Sequence, residues 1–149
     1  MKPTILLRIA SILSLLFCAG HSSGMPWFPA ETAEATALVE KIRTYRFEIM
    51  GVNRSFWDFH VGFGLIISID LLVQAVVLWI LATMAKNEAA RIRPLIAPFA
   101  LAAAAHTILD LRYFFAIPAI SATLIAVCLG LAFALARPSK THTATNEAA

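Results

Sequence analysis

The chain has 149 residues, of which 60% are hydrophobic and only 14% are charged. Soluble domains carry about 25% charged residues, so this composition argues against a water-soluble globular fold. The net charge of +3 comes from basic residues that flank apolar runs and form no patch, so nucleic-acid binding is not expected. Apolar runs of about 20 residues, enough to cross a bilayer, recur along the chain. We therefore expect a single transmembrane helical domain over residues 1–137.

The first apolar run extends from Ile5 to Gly20 and follows the basic residue Lys2. It fits a short membrane span, over about residues 5–22, and it also fits the apolar core of a signal peptide. Small residues after the run could host cleavage, although a clear A-x-A site is missing. These residues leave retention and cleavage open, but both alternatives place the next loop outside the cytoplasm.

An amphipathic helix is predicted in that loop, over about residues 30–49. Its apolar residues recur at steps of four, three and four, which places them on one helix face: Leu38, Ile42, Tyr45 and Ile49. Gly51 follows as a helix stop. We expect this extracytoplasmic helix to lie along the membrane surface.

The second span is predicted over about residues 56–84. Ser55 and Asp58 resemble a capping box at its start, with Asp in place of the usual Glu or Gln. The basic residues that follow this span make the next loop cytoplasmic by the positive-inside rule: Lys86, Arg91 and Arg93. The orientation expected in the bacterial inner membrane is therefore multi-pass, N-in and C-in.

Two further spans complete the prediction, over about residues 94–112 and 117–136. Pro94 and Pro98 fit the first turns of the third span. The fourth span carries small residues at every fourth position, a pattern that lets helices approach closely and indicates a homo-oligomer contact: Ala122, Ala126, Gly130 and Ala134. The expected fold is all-α, an integral membrane four-helix bundle with the amphipathic helix between the first two spans. Residues 138–149 are expected to form a disordered cytoplasmic tail.

Asp70 is the most informative polar residue of the predicted spans, because ionisable side chains at membrane depth usually face the bundle interior. At about 100° per residue it shares an arc with other residues of its helix, and we expect that arc to face the bundle: His60, Phe63, Ile67 and Gln74. His106 lies in the third span. Asp70 and His106 are the catalytic candidates, but a structural, protonated Asp70 hydrogen-bonded to Gln74 or to another helix and a packing role for His106 stay open.

Polar and aromatic residues also gather at the outer ends of the predicted spans. We expect them to form a ligand-binding pocket: Arg54, Trp57, Asp58, Phe59, Phe63, Asp110, Arg112 and Tyr113. Two simpler interpretations stay open. Asp58 fits a helix cap. The arginines fit surface pairs, Arg54 with Asp58 and Arg112 with Asp110.

No metal site is expected from the sequence. Cys18 and Cys128 lie in apolar runs without a metal-binding spacing, and the histidines lack an HExxH-like pattern. A haem held by His60 and His106 is disfavoured, because straight helices would place them about two turns apart in depth. The cofactor, if there is one, stays unknown.

One segment has a specific pattern: Gly51-x-x-Arg54-Ser55-Phe56-Trp57-Asp58-Phe59, followed by Gly62-Phe63-Gly64-Leu65. Together with Gly20-His21-Ser22 and with Arg112-Tyr113-Phe114-Phe115 before Pro118, it resembles the signature of an uncharacterised family of small bacterial four-helix integral membrane proteins. The resemblance implies that the first helix is retained. The resemblance implies no particular reaction, substrate or cofactor. That pattern usually has Tyr at position 60, which makes His60 a poor candidate for an essential ligand.

The leading hypothesis is a non-enzymatic membrane protein that binds a lipid-like ligand or a partner helix in the outer-half pocket. The alternative is a small membrane enzyme of the isomerase or redox type, with Asp70 and His106 as an acid–base pair. Its substrate would be lipidic or quinone-like, which is a fold-level analogy. A proton or small-solute carrier is a third hypothesis.

Overall fold

The computed structural model describes residues 2–24 and 30–137. Within those ranges the elements in chain order are α1 (Pro3–Gly24), α2 (Ala33–Thr44), β1 (Arg46–Ile49), β2 (Val52–Ser55), α3 (Phe56–Tyr113) and α4 (Ala116–Leu135). The all-α prediction is confirmed, with one two-stranded hairpin as a small addition in the described chain. Three of the described helices, α1, α3 and α4, are long and apolar enough to cross a membrane. The tail predicted at 138–149 lies outside the described residues.

Helix α3 contains two predicted spans. At 1.5 Å per residue its 58 residues would extend about 87 Å, far beyond the ~30 Å hydrocarbon core of a bilayer. It is interrupted at Glu88, whose backbone is non-helical with φ −130° and ψ 45°. The second helical part therefore starts directly after Glu88, earlier than predicted, and Pro94 and Pro98 lie inside it. Each proline removes one N–H donor from the helix.

The predicted amphipathic helix ends earlier than expected, at Thr44. The Thr32 hydroxyl caps its start by accepting a hydrogen bond from the Ala35 N–H at 3.1 Å. The residues predicted as its last turn form β1 instead, which pairs antiparallel with β2. A two-residue turn joins the strands, with positive φ at Met50 (51°) and Gly51 (78°), the pattern of a type I′ hairpin turn. Gly51 therefore serves a β-turn and not a helix end.

The chain divides into two compact units. Among the described residues, the first unit comprises residues 2–11 with 77–137, and the second unit comprises residues 12–24 with 30–76. Helices α1 and α3 each contribute residues to both units. The single domain expected from the sequence stays a prediction.

In the first unit, α4 buries a face of small and branched side chains: Ala119, Ala122, Ile125, Leu129 and Ala132. Arg93 joins α3 to the end of α4, because its Nε donates to the Phe133 carbonyl at 3.1 Å and its guanidinium lies over the Phe133 ring. The predicted small-residue stripe does not stay on the buried face of α4. Each step of four residues rotates the side chain by about 40° around the helix axis, so the later residues of the stripe lie away from that face. Gly130 and Ala134 are exposed, and the homo-oligomer contact stays a prediction.

In the second unit, a polar seam joins α1 to α3. We define it as Ser14, Cys18, His21 and Ser22 of α1 with Gly64, Ser68 and Gln74 of α3. Gln74 donates to the Ser14 hydroxyl at 2.8 Å, and the Ser22 hydroxyl donates to that of Ser68 at 2.9 Å. The Cys18 thiol donates to the Ser68 carbonyl at 3.2 Å, and His21 Nε2 lies 3.0 Å from the Gly64 carbonyl. Retention of α1, which the resemblance implies, stays a prediction.

Candidate functional site

An open groove lies where the hairpin meets the first turns of α3, within the second unit. We call it the basic groove. It has a volume of about 410 Å³ and is lined by Arg46, Arg54, Trp57, Asp58, Val61 and Gly62. Three of the predicted ligand-binding residues, Arg54, Trp57 and Asp58, are therefore brought together.

The capping box at the start of α3 fixes one wall of the groove. The Asp58 N–H donates to the Ser55 hydroxyl at 3.2 Å, and the Ser55 N–H donates to Asp58 Oδ2 at 2.8 Å. The capping-box prediction is confirmed. Ser55 is 1% exposed, so this reciprocal pair of hydrogen bonds is shielded from water and belongs to the packed structure. One carboxylate oxygen of Asp58 is thereby held at the helix N-terminus, where negative charge is favourable.

The groove has an excess of positive charge. Arg46 makes an ion pair with Asp58 at 3.4 Å. The pairing of Asp58 with Arg54, one of the alternatives that the sequence leaves open, is not among the ion pairs of the described residues. The Arg46 and Asp58 side chains are 53% and 38% exposed, and exposed pairs of this kind contribute about 0–1 kcal/mol. Arg54 donates to the carbonyl of Asn53 at 2.9 Å. Two guanidinium groups thus face one carboxylate that is already engaged in capping.

Trp57 is held from two sides. The guanidinium carbon of Arg43, on α2, lies 4.1 Å from the centroid of the indole ring. The ring of His60 lies 5.3 Å away, centroid to centroid. Arg43 adds a third cation next to the groove, and the cation–π contact fixes the plane of the indole.

An aromatic ladder adjoins the groove, formed by Tyr45, Phe47, Phe56, Phe59 and Phe63. Phe47 lies 4.9 Å from Phe56 and stacks on Phe59 at 6.0 Å, and Phe59 lies 6.2 Å from Phe63. Tyr45 stacks on Phe56 at 6.3 Å. The sequence predicted Phe59 and Phe63 as site residues but missed Tyr45 and Phe47, because it placed them in a helix. The alternation of polar and apolar residues from Arg46 to Ile49 was the signal for a strand.

The remaining predicted pocket residues belong to the first unit. Arg112 and Tyr113 are exposed, and Asp110 is half-buried. In the described part of the chain, Asp110 Oδ2 is buried without a hydrogen-bond partner and makes no ion pair. The expected pair of Asp110 with Arg112 is therefore not formed. Membership of these three residues in one pocket with the basic groove stays a prediction.

Asp70 and His106 are both exposed. The arc expected to face the bundle is exposed at His60, Phe63, Ile67 and Asp70, so that expectation is wrong for these residues. Only Gln74 is half-buried, and it bonds Ser14 and not Asp70. The buried face of α3 runs instead through Leu71, Ala75 and Leu78, about 100° away from Asp70. Asp70 and His106 lie in different units, and their acid–base pairing stays a prediction.

The chemistry of the groove suits anion binding more than metal binding. Among the described residues, no group of three or more His, Cys, Asp or Glu is placed to hold a metal ion. Guanidinium groups, in contrast, donate paired N–H groups that match phosphate and carboxylate oxygens.

Comparison with family models, with curated proteins and with solved structures finds no match to the chain. The family resemblance of the segment around Arg54 and Trp57 stays a prediction. The function is therefore inferred from the geometry and charge of the basic groove.

Proposed function

We propose that the protein is an integral membrane protein that binds the anionic head group of a lipid-like ligand in the basic groove. The observation that carries this proposal is the pair of exposed guanidinium groups, Arg46 and Arg54, beside Trp57 at the start of an apolar α3. Arginine and tryptophan favour the interface between hydrocarbon and water. The groove lies where such an interface meets a membrane helix.

The sequence of α3 supports that placement. From Phe59 to Ala85 the single charged side chain is Asp70, so an apolar stretch begins just after the groove. Val61 and Gly62 form the groove wall on the side of this stretch. The arginines of the groove match the anionic head of a lipid-like ligand, and the apolar stretch of α3 matches its apolar tail. In the N-in orientation that the positive-inside rule gives, the groove faces the outer leaflet.

Phosphate and carboxylate head groups share the chemistry that the two arginines recognise. Each accepts paired hydrogen bonds from a guanidinium fork, and each such bond to a charged group contributes about 1.5–3 kcal/mol. The Arg46–Asp58 pair is long and exposed, so a ligand oxygen can replace Asp58 as the partner of Arg46 at small cost. Asp58 keeps its capping bond to Ser55 when this happens.

Native mass spectrometry of the full chain in mild detergent tests the proposal. Phosphatidylglycerol is added to the wild type, to Arg46→Gln/Arg54→Gln and to Arg91→Gln. Arg91 is the matched control, since it is also an exposed arginine in an ion pair, 3.0 Å from Glu88. The double variant is expected to lose at least about tenfold in bound lipid, because two charge-assisted contacts are removed. Arg91→Gln is expected to bind like the wild type.

Equal binding by the double variant and the wild type would contradict the site assignment. Inorganic phosphate serves as the second probe. Competition by phosphate at millimolar concentration assigns the groove to a free anion, whereas insensitivity to phosphate assigns it to a lipid whose tail adds to binding. A circular-dichroism spectrum of each variant shows that helix content is retained.

A further inference from the structure

The two faces of the β-hairpin differ in polarity. Directly opposite residues of an antiparallel pair point to the same face. The register therefore places Phe47, Arg54, Ile49 and Val52 on one face. The other face carries only polar residues: Arg46, Ser55, Glu48 and Asn53. The hairpin thus has an apolar face with a single arginine at its base.

The tip of the hairpin is apolar as well. Met50 is 98% exposed, and its neighbours Ile49 and Val52 are 42% and 43% exposed. Type I′ turns favour Asn, Asp or Gly at their first central position, because that residue needs a positive φ. Met50 adopts φ 51° without such a side chain. In water, the tip would therefore combine backbone strain with exposed apolar surface.

The apolar face is continuous with the surface of α3. The ring of Phe47 contacts those of Phe56 and Phe59, and the ring of Phe59 contacts that of Phe63, one helical turn further along α3. Phe59 and Phe63 are exposed, and they begin the apolar stretch of α3. An aromatic surface thus extends without interruption from the hairpin to a helix that is apolar enough to cross a membrane.

We infer that the apolar face of the hairpin is seated in the surface of the phospholipid bilayer. Phe47, Ile49, Met50 and Val52 enter the boundary between head groups and acyl chains, as the apolar face of an amphipathic interfacial helix does. Arg54 lies at the base of that face, where the basic groove begins, and the seating of the hairpin depends on the apolar residues and not on Arg54. The polar face, with Glu48 and Asn53, remains in water. This surface goes beyond the proposed function, because it needs no ligand in the basic groove.

Site-directed spin labelling of the full chain in phosphatidylcholine vesicles tests the inference. Single cysteines are introduced by Ile49→Cys and Val52→Cys on the apolar face, and by Glu48→Cys and Asn53→Cys on the polar face. The background carries Cys18→Ser and Cys128→Ala; the serine keeps a donor for the Ser68 carbonyl. Collision with oxygen reports lipid exposure, and collision with a water-soluble nickel chelate reports water exposure.

The expected result is a several-fold higher ratio of oxygen to nickel accessibility at 49 and 52 than at 48 and 53. Equal ratios on both faces would overturn the inference. Shielding of 49 and 52 from both reagents would also overturn it, since a second copy or another protein would then cover the face. The same alternation is expected in Arg46→Gln/Arg54→Gln. That variant separates the two proposals, because it removes binding in the groove and leaves the apolar residues in place.

Discussion

The polar seam and the basic groove lie in the same unit and use polar side chains of the same helix, yet they are built in opposite ways. In the seam, Gln74 and Ser68 form hydrogen bonds with Ser14 and Ser22 of α1. In the groove, the arginine heads are exposed, and the one ion pair, formed by Arg46, is long and exposed. The polar groups of the seam form hydrogen bonds between α1 and α3, whereas the arginine side chains of the groove are exposed to a ligand.

With α1 and α3 crossing the membrane as we propose, the difference follows from the depth of the two regions in the bilayer. A polar group in hydrocarbon has no water partner, so it must find one in a neighbouring helix. An arginine at the interface keeps its hydration and can exchange it for a ligand at small cost. We therefore expect changes in the seam to alter the stability of the protein, and changes in the groove to alter what it binds.

The largest effect is expected from reversing the charge of the groove. Arg46→Glu/Arg54→Glu replaces two attractive contacts by repulsion, so bound phosphatidylglycerol should fall by about 100-fold or more. Native mass spectrometry measures the bound fraction, and thermal unfolding in detergent should change little because both side chains are exposed. Arg91→Glu is the control. A similar loss in the control would mean that the charge of the whole protein, and not the groove, governs binding.

Removal of the cap of α3 should affect both the stability of the protein and binding in the groove. Ser55→Ala deletes the hydroxyl that accepts from the Asp58 N–H, which should lower the free energy of unfolding by about 1 kcal/mol. The Ser55 N–H still donates to Asp58 Oδ2, but the first turn of α3, which carries Trp57 and Asp58 in the groove wall, is held less firmly, so lipid binding should also weaken. Thr32→Ala removes the equivalent cap of α2 and serves as the control for a purely structural loss. Weakened stability with unchanged binding in Ser55→Ala would show that the cap does not shape the groove.

The seam should affect stability alone. Gln74→Leu removes the hydrogen bond to Ser14, and such contacts between membrane helices contribute about 0.6 kcal/mol and at most about 1.7 kcal/mol. Unfolding by a denaturing detergent measures this change, and a double-mutant cycle with Ser14→Ala isolates the contact. Lipid binding in the groove should equal that of the wild type. A loss of binding in Gln74→Leu would break the distinction between the two regions.

The smallest effect is expected from Asp58→Asn. The amide oxygen can still accept from the Ser55 N–H, but the ion pair with Arg46 is lost. Since that pair contributes about 0–1 kcal/mol, affinity for phosphatidylglycerol should rise by up to about fivefold. A titration followed by native mass spectrometry measures the gain. Decreased affinity would indicate that Asp58 contacts the ligand directly.

Part of the site could be predicted from local sequence patterns. Ser55 and Asp58 have the spacing of a capping box, and Trp57 lies between them just before an apolar stretch. All three residues lie within one helical turn, so the sequence alone places them near one another. The second arginine of the groove could not be predicted in this way. Arg46 reaches Asp58 only because the hairpin folds back over 12 residues. The Met-Gly turn that allows this lacks the usual Asn or Asp, so the sequence carries no clear hairpin signal, and the helical period of the preceding residues predicts a longer helix.

The sequence by itself determined the helical class, the helices apolar enough to cross a membrane and the cap of α3, because each depends on residues within a few positions of one another. Tertiary structure decided which polar groups meet. It joined Gln74 to Ser14, 60 residues away, and left Asp70 exposed although both residues share an arc of the helix. Helical periodicity places residues on a face, but only the neighbouring helix decides which part of that face is covered.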